Sequence, residues 1–95
     1  MKIGYARVST QDQNLEIQDD LLQDAGCERI YREKVSGAKR ARPELERLLE
    51  SLRPDDIVIV WKLDRLARST RDLLEITDAI EKAGAKFRSL SEPWA

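Results

Sequence analysis

Histidine is absent from this chain, and cysteine and aromatic residues are scarce. Of 95 residues, none is histidine, one is cysteine and 5% are aromatic. The absence of histidine excludes the Ser–His and Cys–His nucleophile pairs and disfavours a zinc site. The single Cys27 excludes an internal disulfide and fits a reducing compartment.

Neither sign of charge is in excess, and long apolar runs are missing. The chain has 17 Lys and Arg against 18 Asp and Glu, a formal net charge of -1, so a polyanion site would have to be a local cluster.

No run approaches the roughly 20 apolar residues that span a bilayer. The opening "MKIGYARVS" turns polar too early for a signal peptide. We therefore predict a cytoplasmic protein with no membrane partner.

The apolar pattern predicts one domain, residues 1–95, in which strands and helices alternate. Strands are predicted at 2–8, 29–34, 57–61 and over "KFRSL" near the end. Helices are predicted after a Thr10–Gln13 capping box, from Pro43, and from Thr70 to Ala83. In the first predicted helix, one apolar face is formed by Ile17, Leu21, Leu22 and Ala25. Gly26 is predicted to end this helix, and Gly84 is predicted to end the third.

The first strand has apolar side chains on both faces, which is typical of a central parallel strand. Short loops and right-handed crossovers then predict an α/β fold, an open and mostly parallel sheet with helices on both faces. We predict the flavodoxin-like strand order 2-1-3-4. This order reverses between the first and third strands, and ligands of such sheets bind beyond the carboxyl ends of the strands at that point.

The ends of these two strands carry reactive and charged residues. The first strand ends with Arg7 and Ser9, and the third leads into "WKLDRLARSTR", which contains Asp64. Several guanidinium groups around one point need an anion between them, and their planar fork suits phosphate. The pattern predicts a phosphoryl-transfer site in which arginines stabilise the charge. The candidate cations are Arg7, Arg65, Arg68, Lys62 and Arg71, with Lys39, Arg40 and Arg42 in the loop before the second helix.

Ordinary structural roles also explain each of these residues. Ser9 has the position of a helix cap. Asp64 is spaced for a surface ion pair with Arg65 or Arg68, worth about 0–1 kcal/mol. The basic loop has the composition of a solvated segment. Taken alone, the residues leave a phosphoryl-transfer site and a charged surface as alternatives.

Longer motifs resemble a known family. "YARVST", then "LEIQ", "SG" and "WKLDRLARS" occur in the order and spacing of the catalytic domain of serine site-specific recombinases of the resolvase and invertase type. The resemblance covers essentially the whole chain, and "SEPWA" is similar to the segment before the family's long dimerisation helix. It implies an enzyme that cuts and rejoins double-stranded DNA at a recombination site without ATP, metal or another cofactor.

The resemblance also implies individual roles. Ser9 matches the nucleophile, which forms a 5′-phosphoserine link while a 3′-hydroxyl leaves. The arginines that match those around the phosphate are Arg7, Arg42, Arg65 and Arg68. Asp64 matches an acid that activates the site or handles the leaving group's proton, and Gln13 and Gln18 match supporting glutamines.

The dimerisation helix and DNA-binding module of the family have no counterpart in these 95 residues. We therefore expect an excised catalytic domain that is weak or inactive alone, whereas the full-length protein forms a homodimer or tetramer. Glycine and crowded cations in "SGAKRAR" predict a locally unstable loop.

Two other functions stay open at this point. A receiver-like phosphoacceptor module would use Asp64 as its acceptor, but Arg7 and Ser9 occupy the strand end where such a module needs acids for Mg²⁺. A domain that binds phosphate or the DNA backbone without catalysis would also keep this fold.

Overall fold

Strands and helices alternate in the computed structural model, which describes residues 1–9, 15–35, 43–63 and 69–91. The strands are β1 (Lys2–Ser9), β2 (Arg29–Val35), β3 (Ile57–Val60) and β4 (Lys86–Ser89). The helices are α1 (Leu15–Asp24), α2 (Pro43–Ser51) and α3 (Thr70–Lys82). The predicted strands and helices in these ranges are confirmed to within a residue. The Thr10–Gln13 capping box and the loop "SGAKRAR" lie outside the described residues.

The four strands form one parallel sheet in the order β2-β1-β3-β4, which confirms the predicted α/β fold. The chain moves one way across the sheet from β1 to β2 and the other way from β2 to β3. Right-handed crossovers therefore bring α1 to one face and α2 and α3 to the other. The order reverses between β1 and β3, as predicted.

Each face of the sheet has its own apolar core. On the face of α2 and α3, Ile3 and Tyr5 pack in a cluster with Leu45, Leu48, Val58, Val60, Ile76, Ile80 and Ala85. On the face of α1, the buried cluster is Ala6, Leu22 and Ile59. Because β1 contributes to both clusters, it is the central strand that its apolar pattern predicts.

The prediction for the buried face of α1 is wrong at Ile17. The side chain of Ile17 is 51% exposed, whereas Gln18 is fully buried at 0%. The face that packs on the sheet contains Gln18, Leu22 and Ala25, spaced i, i+4 and i+7. Ile17 lies about 100° away from Gln18 around the helix axis. A polar side chain therefore occupies a core position for which the pattern predicts an apolar one.

The predicted glycine terminators are confirmed. Gly26 and Gly84 have φ values of 90° and 79°, in the left-handed region where a side chain is strained. A Cβ on Gly84 would also lie 3.2 Å from the Cα of Pro54. The turn after α3 thus packs against the turn before β3.

The turn before β3 is stabilised by the carboxylate of Asp56. Its Oδ2 accepts from the backbone N–H of Arg53 at 2.9 Å, and its Oδ1 accepts from the Met1 ammonium at 3.2 Å. The Arg53 hydrogen bond is the main cause that lowers the pKa of Asp56; burial opposes it, and the ammonium adds to it. Asp55, next to it, has a left-handed φ of 74°. Both residues lie at the amino end of the sheet, far from the carboxyl ends of the strands.

Candidate functional site

The carboxyl ends of β1 and β3 are staggered. β1 pairs with β3 only as far as Tyr5, opposite Val60, but it pairs with β2 as far as Ser9, opposite Val35. β1 therefore continues four residues beyond its last β3 partner, about 13 Å at the usual rise per residue. β1 therefore extends past the end of β3 at the point where the strand order reverses.

Gln18 of α1 holds the backbone of β1 beyond the last β1–β3 pair. The backbone N–H of Arg7 donates to Oε1 of Gln18 at 3.2 Å, and Nε2 of Gln18 donates to the carbonyl oxygen of Arg7 at 3.1 Å. The side-chain amide thus makes the two hydrogen bonds that a neighbouring strand would make, at a level that β3 does not reach. It fixes the main chain two residues before Ser9.

Glu33 of β2 ties a second helix to the same end of the sheet. The side chain is 3% exposed. Its Oε1 accepts from the Tyr5 hydroxyl at 2.8 Å, and its Oε2 accepts from the backbone N–H of Glu44 at 3.0 Å. A longer hydrogen bond of 3.4 Å comes from the N–H of Leu45. A carboxylate at these positions caps the first turn of α2 and suits the positive end of the helix dipole.

The chain leaving β3 leads toward the start of α3. Lys62 lies over the ring of Trp61, with Nζ 4.6 Å from the ring centroid. Ser69 caps α3, its hydroxyl accepting from the N–H of Asp72 at 3.1 Å. Arg71 is exposed in the first turn of α3, so its cation is accessible to an anion in solvent.

The predicted site residues divide into two groups. Arg7, Gln18, Lys62 and Arg71 are described with their side chains, and Ser9 is the last residue of β1. The others lie in the ranges that the structure does not describe: Gln13, Lys39, Arg40, Arg42, Asp64, Arg65 and Arg68.

Among the residues with described positions, no group of three acidic or cysteine side chains could hold a metal ion. None of the helices in those ranges is long and apolar enough to cross a membrane.

Glu33 and Tyr5 are not among the predicted site residues. Glu33 lies in a strand that carries several charged side chains, and such a pattern predicts that an acid faces the solvent. The available signal was Tyr5, because a tyrosine in a buried strand needs a partner for its hydroxyl. The partner becomes identifiable only with the β1–β2 register, in which Tyr5 is opposite Tyr31 and diagonal to Glu33.

Comparisons with known proteins identify the family of this chain. The family model "Resolvase, N terminal domain" matches residues 2–94. The transposon Tn552 DNA-invertase BinR of Staphylococcus aureus is 49% identical over 92 residues, which cover 97% of this chain and 48% of that protein. The serine recombinase gin of Escherichia phage Mu is 47% identical over 92 residues, which cover 97% of this chain and 48% of that protein.

A solved structure has the same fold. The C-terminal catalytic domain of ISC1926 TnpA, an IS607-like serine recombinase, superposes with a TM-score of 0.78 at 25% identity, covering 94% of this chain and 66% of that one. The chain spans about half the length of the curated relatives that it matches.

Proposed function

Because the chain belongs to the resolvase family of serine recombinases, we propose that it is the catalytic domain of a site-specific recombinase that cuts and rejoins double-stranded DNA. The observation that carries the proposal is the end of β1. There Ser9 terminates the strand at the reversal of strand order, and Gln18 fixes the backbone of Arg7 beside it. The receiver-like and non-catalytic alternatives have no support among the relatives.

In this proposal Ser9 is the nucleophile. Its Oγ attacks the scissile phosphorus, a Ser–O–P bond forms, and the bond from phosphorus to the 3′ oxygen breaks. The Ser9 hydroxyl gives up its proton as this bond forms, and the 3′ oxygen takes up a proton and leaves as a hydroxyl, so the step consumes no net proton. We propose that Asp64 takes part in this proton transfer. Attack of a 3′-hydroxyl on the phosphoserine reverses the chemistry, so rejoining needs no external energy source.

The arginines supply the charge stabilisation. Arg7, Arg42, Arg65 and Arg68 are proposed to donate to the non-bridging oxygens of the reacting phosphate, where negative charge is held in the transition state. Loss of one such preorganised donor typically costs about 10²–10³ in rate. Gln13 and Gln18 support the nucleophile's segment, and Lys39, Arg40 and Arg71 are proposed to bind flanking phosphates. No cofactor is required by this scheme.

Sequence recognition and assembly are proposed to lie outside these 95 residues. The net charge of -1 gives the chain no general affinity for DNA. The relatives are about twice as long as the matched region, which leaves room for a DNA-binding module and for dimer or tetramer contacts. We propose that the full-length protein acts on DNA in the cytoplasm as such an assembly.

A covalent-adduct assay tests the proposal. The full-length gene product is incubated with a supercoiled plasmid that carries the DNA flanking the gene, and the reaction is stopped with denaturant. We expect a protein–DNA band on a denaturing gel for the wild type and for Thr10→Val, a neighbouring hydroxyl control. Ser9→Ala should give no band, and Arg65→Ala or Arg68→Ala should lose cleavage while remaining folded. A Ser9→Ala protein that still forms the adduct would show that another residue is the nucleophile.

A further inference from the structure

Lys62 is a described candidate cation to which the proposed mechanism gives no role. It lies two residues after Val60, the last residue of β3, at the carboxyl end of the sheet. Arg7 and Arg71, the other candidate cations with described side chains, already have a place in the scheme. The surroundings of Lys62 decide whether its charge is available to a ligand.

The charge of Lys62 is not neutralised within the part of the chain that the structure describes. There Arg32, Arg47 and Lys82 each form an ion pair with an acid at 2.7–2.9 Å, whereas Lys62 forms none. Its Nζ lies instead 4.6 Å from the centroid of the Trp61 ring. An aromatic face attracts an ammonium group but has no net charge. Because Lys62 is half-buried, water also solvates it less fully than an exposed lysine, so an anion would gain from contact with it.

Trp61 is held beside the end of β4 by backbone hydrogen bonds. Its carbonyl oxygen accepts from the N–H of Ser91 at 2.9 Å, and the carbonyl oxygen of Val60 accepts from the N–H of Leu90 at 2.9 Å. The pairing of the two chain segments thus continues past the last residues of β3 and β4. A tryptophan ring has only two rotatable angles, so little freedom remains once its backbone is fixed. The ammonium group of Lys62 therefore rests on a partner that the sheet positions.

Lys62 and Ser9 lie at the same edge of the sheet. Their strands, β3 and β1, are neighbours, about 4.8 Å apart. Counted from the pair Tyr5–Val60, Ser9 is four residues and Lys62 two residues toward the carboxyl end. Lys62 is thus offset from Ser9 by about one strand spacing across the sheet and about two residues along it. This offset suits a phosphate beside the one that Ser9 attacks.

We propose that Lys62, held against the ring of Trp61, binds a DNA phosphate that flanks the scissile one. The inference rests on the proposed function, which places DNA at this edge of the sheet. Lys62 makes no contact with the reacting atoms in this scheme. Trp61 is a positioning residue, because it orders the lysine side chain before DNA arrives and so lowers the entropy lost on binding.

A purely structural role of the pair would have a different signature. A lysine stem can cover an aromatic ring while its charged end stays in water. Loss of Lys62 would then change the stability of the fold and leave DNA binding unaltered. A phosphate contact instead releases a counterion from the DNA, and each such contact adds about 0.9 to the slope of log affinity against log salt.

Salt titrations of DNA binding by the full-length protein test the inference. The probe is a labelled fragment of the plasmid used for the adduct assay, and every protein carries Ser9→Ala so that binding is measured without cleavage. Lys62→Gln removes the charge, Lys62→Arg keeps it, and Trp61→Leu removes the ring. Lys86→Gln is the matched control, because Lys86 is an exposed lysine in the first position of β4, at the opposite end of the sheet.

We expect Lys62→Gln to lower the salt slope by about 0.9. Its loss of affinity should therefore shrink about 3.5-fold as salt rises from about 50 to about 200 mM. Lys62→Arg and Lys86→Gln should keep the slope of the Ser9→Ala parent. Trp61→Leu should weaken binding by about 2- to 10-fold, because the lysine must then be ordered on binding. Added to Lys62→Gln, it should weaken binding no further.

Each contrary result points to a different failure. A salt slope for Lys62→Gln equal to that of Lys86→Gln would overturn the inference, and a lower urea midpoint of the 95-residue chain would then assign the pair to stability; the proposed function would stand. An equal loss from Trp61→Leu with and without Lys62→Gln would overturn the positioning role of the ring. A wild-type protein that forms no adduct would refute the proposed function, and the inference with it.

Discussion

Replacing Gln18 with leucine is the sharpest stability test of the hydrogen bonds between α1 and the end of β1. The Gln18 side chain is fully buried and makes two hydrogen bonds to the backbone of Arg7, at 3.2 and 3.1 Å. Leucine has a similar size, so it fills the space on the α1 face but can neither donate nor accept. The substitution therefore isolates the hydrogen bonds from the packing.

The expected loss follows from the partner groups that stay behind. A buried polar group deprived of its hydrogen bond costs about 1–3 kcal/mol. Arg7 is only partly buried, so the lower half of this range applies, about 2–4 kcal/mol for the two groups. Added apolar burial by leucine offsets about 1 kcal/mol. The net destabilisation is about 1–3 kcal/mol, which is large against the roughly 5–14 kcal/mol expected for a domain of this length.

Urea and thermal unfolding of the 95-residue chain, followed by circular dichroism, measure this loss. Each kcal/mol should lower Tm by about 4–8 °C in a domain of this size. Gln23→Leu is the control, because Gln23 is exposed on the same helix and should change stability by less than about 0.5 kcal/mol. If Gln18→Leu is as stable as Gln23→Leu, the two hydrogen bonds of the Gln18 amide do not stabilise the end of β1, and this account of Gln18 is wrong.

Three substitutions at the amino end of the sheet test the remaining turn and charge assignments by urea unfolding. Gly84→Ala should destabilise by about 1–2 kcal/mol, because of its positive φ and the contact with Pro54; an unchanged midpoint would contradict this. Asp55→Gly should stabilise by about 0.5–1 kcal/mol, since its φ of 74° favours glycine. The lowered pKa of Asp56 means that its stabilisation is complete above the unfolded-state pKa, about 3.9, and is lost as pH falls through the folded-state value. Asp56→Asn should therefore flatten the acid limb of the stability profile, and an identical acid limb would exclude Asp56 as a contributor.

The fold could be predicted because its determinants are local or pairwise. β1 has apolar residues on both parities, α2 has an unbroken helical pattern after Pro43, and Gly26 and Gly84 end their helices. The strand order was predicted as that of flavodoxin-like folds, and right-handed crossovers then place helices on both faces of the sheet. Ile17 was wrongly assigned to the buried face of α1 because the helical pattern is read from apolar side chains only. Gln18 occupies that face instead, since its amide hydrogen-bonds the backbone of β1.

The site could be predicted in part for the same reason. The reversal of strand order between β1 and β3 was predicted and is confirmed. That the arginines and Asp64 gather at this point stays a prediction. Glu33 could not be found this way, because its burial depends on the register of β1 with β2 and on where α2 begins. Both are tertiary properties, and neither leaves a pattern in the residues around Glu33.

The most direct measurement maps the covalent bond itself. Full-length protein is reacted with supercoiled DNA from its own locus and denatured, the DNA is digested to nucleotides, and the protein is cleaved with trypsin. Cleavage after Arg7 and after Arg29 releases residues 8–29, which contain Ser9. The account predicts that this peptide carries a nucleotide linked through its 5′ phosphate to Ser9. A nucleotide on any other residue, or a 3′-phosphate linkage, would contradict it.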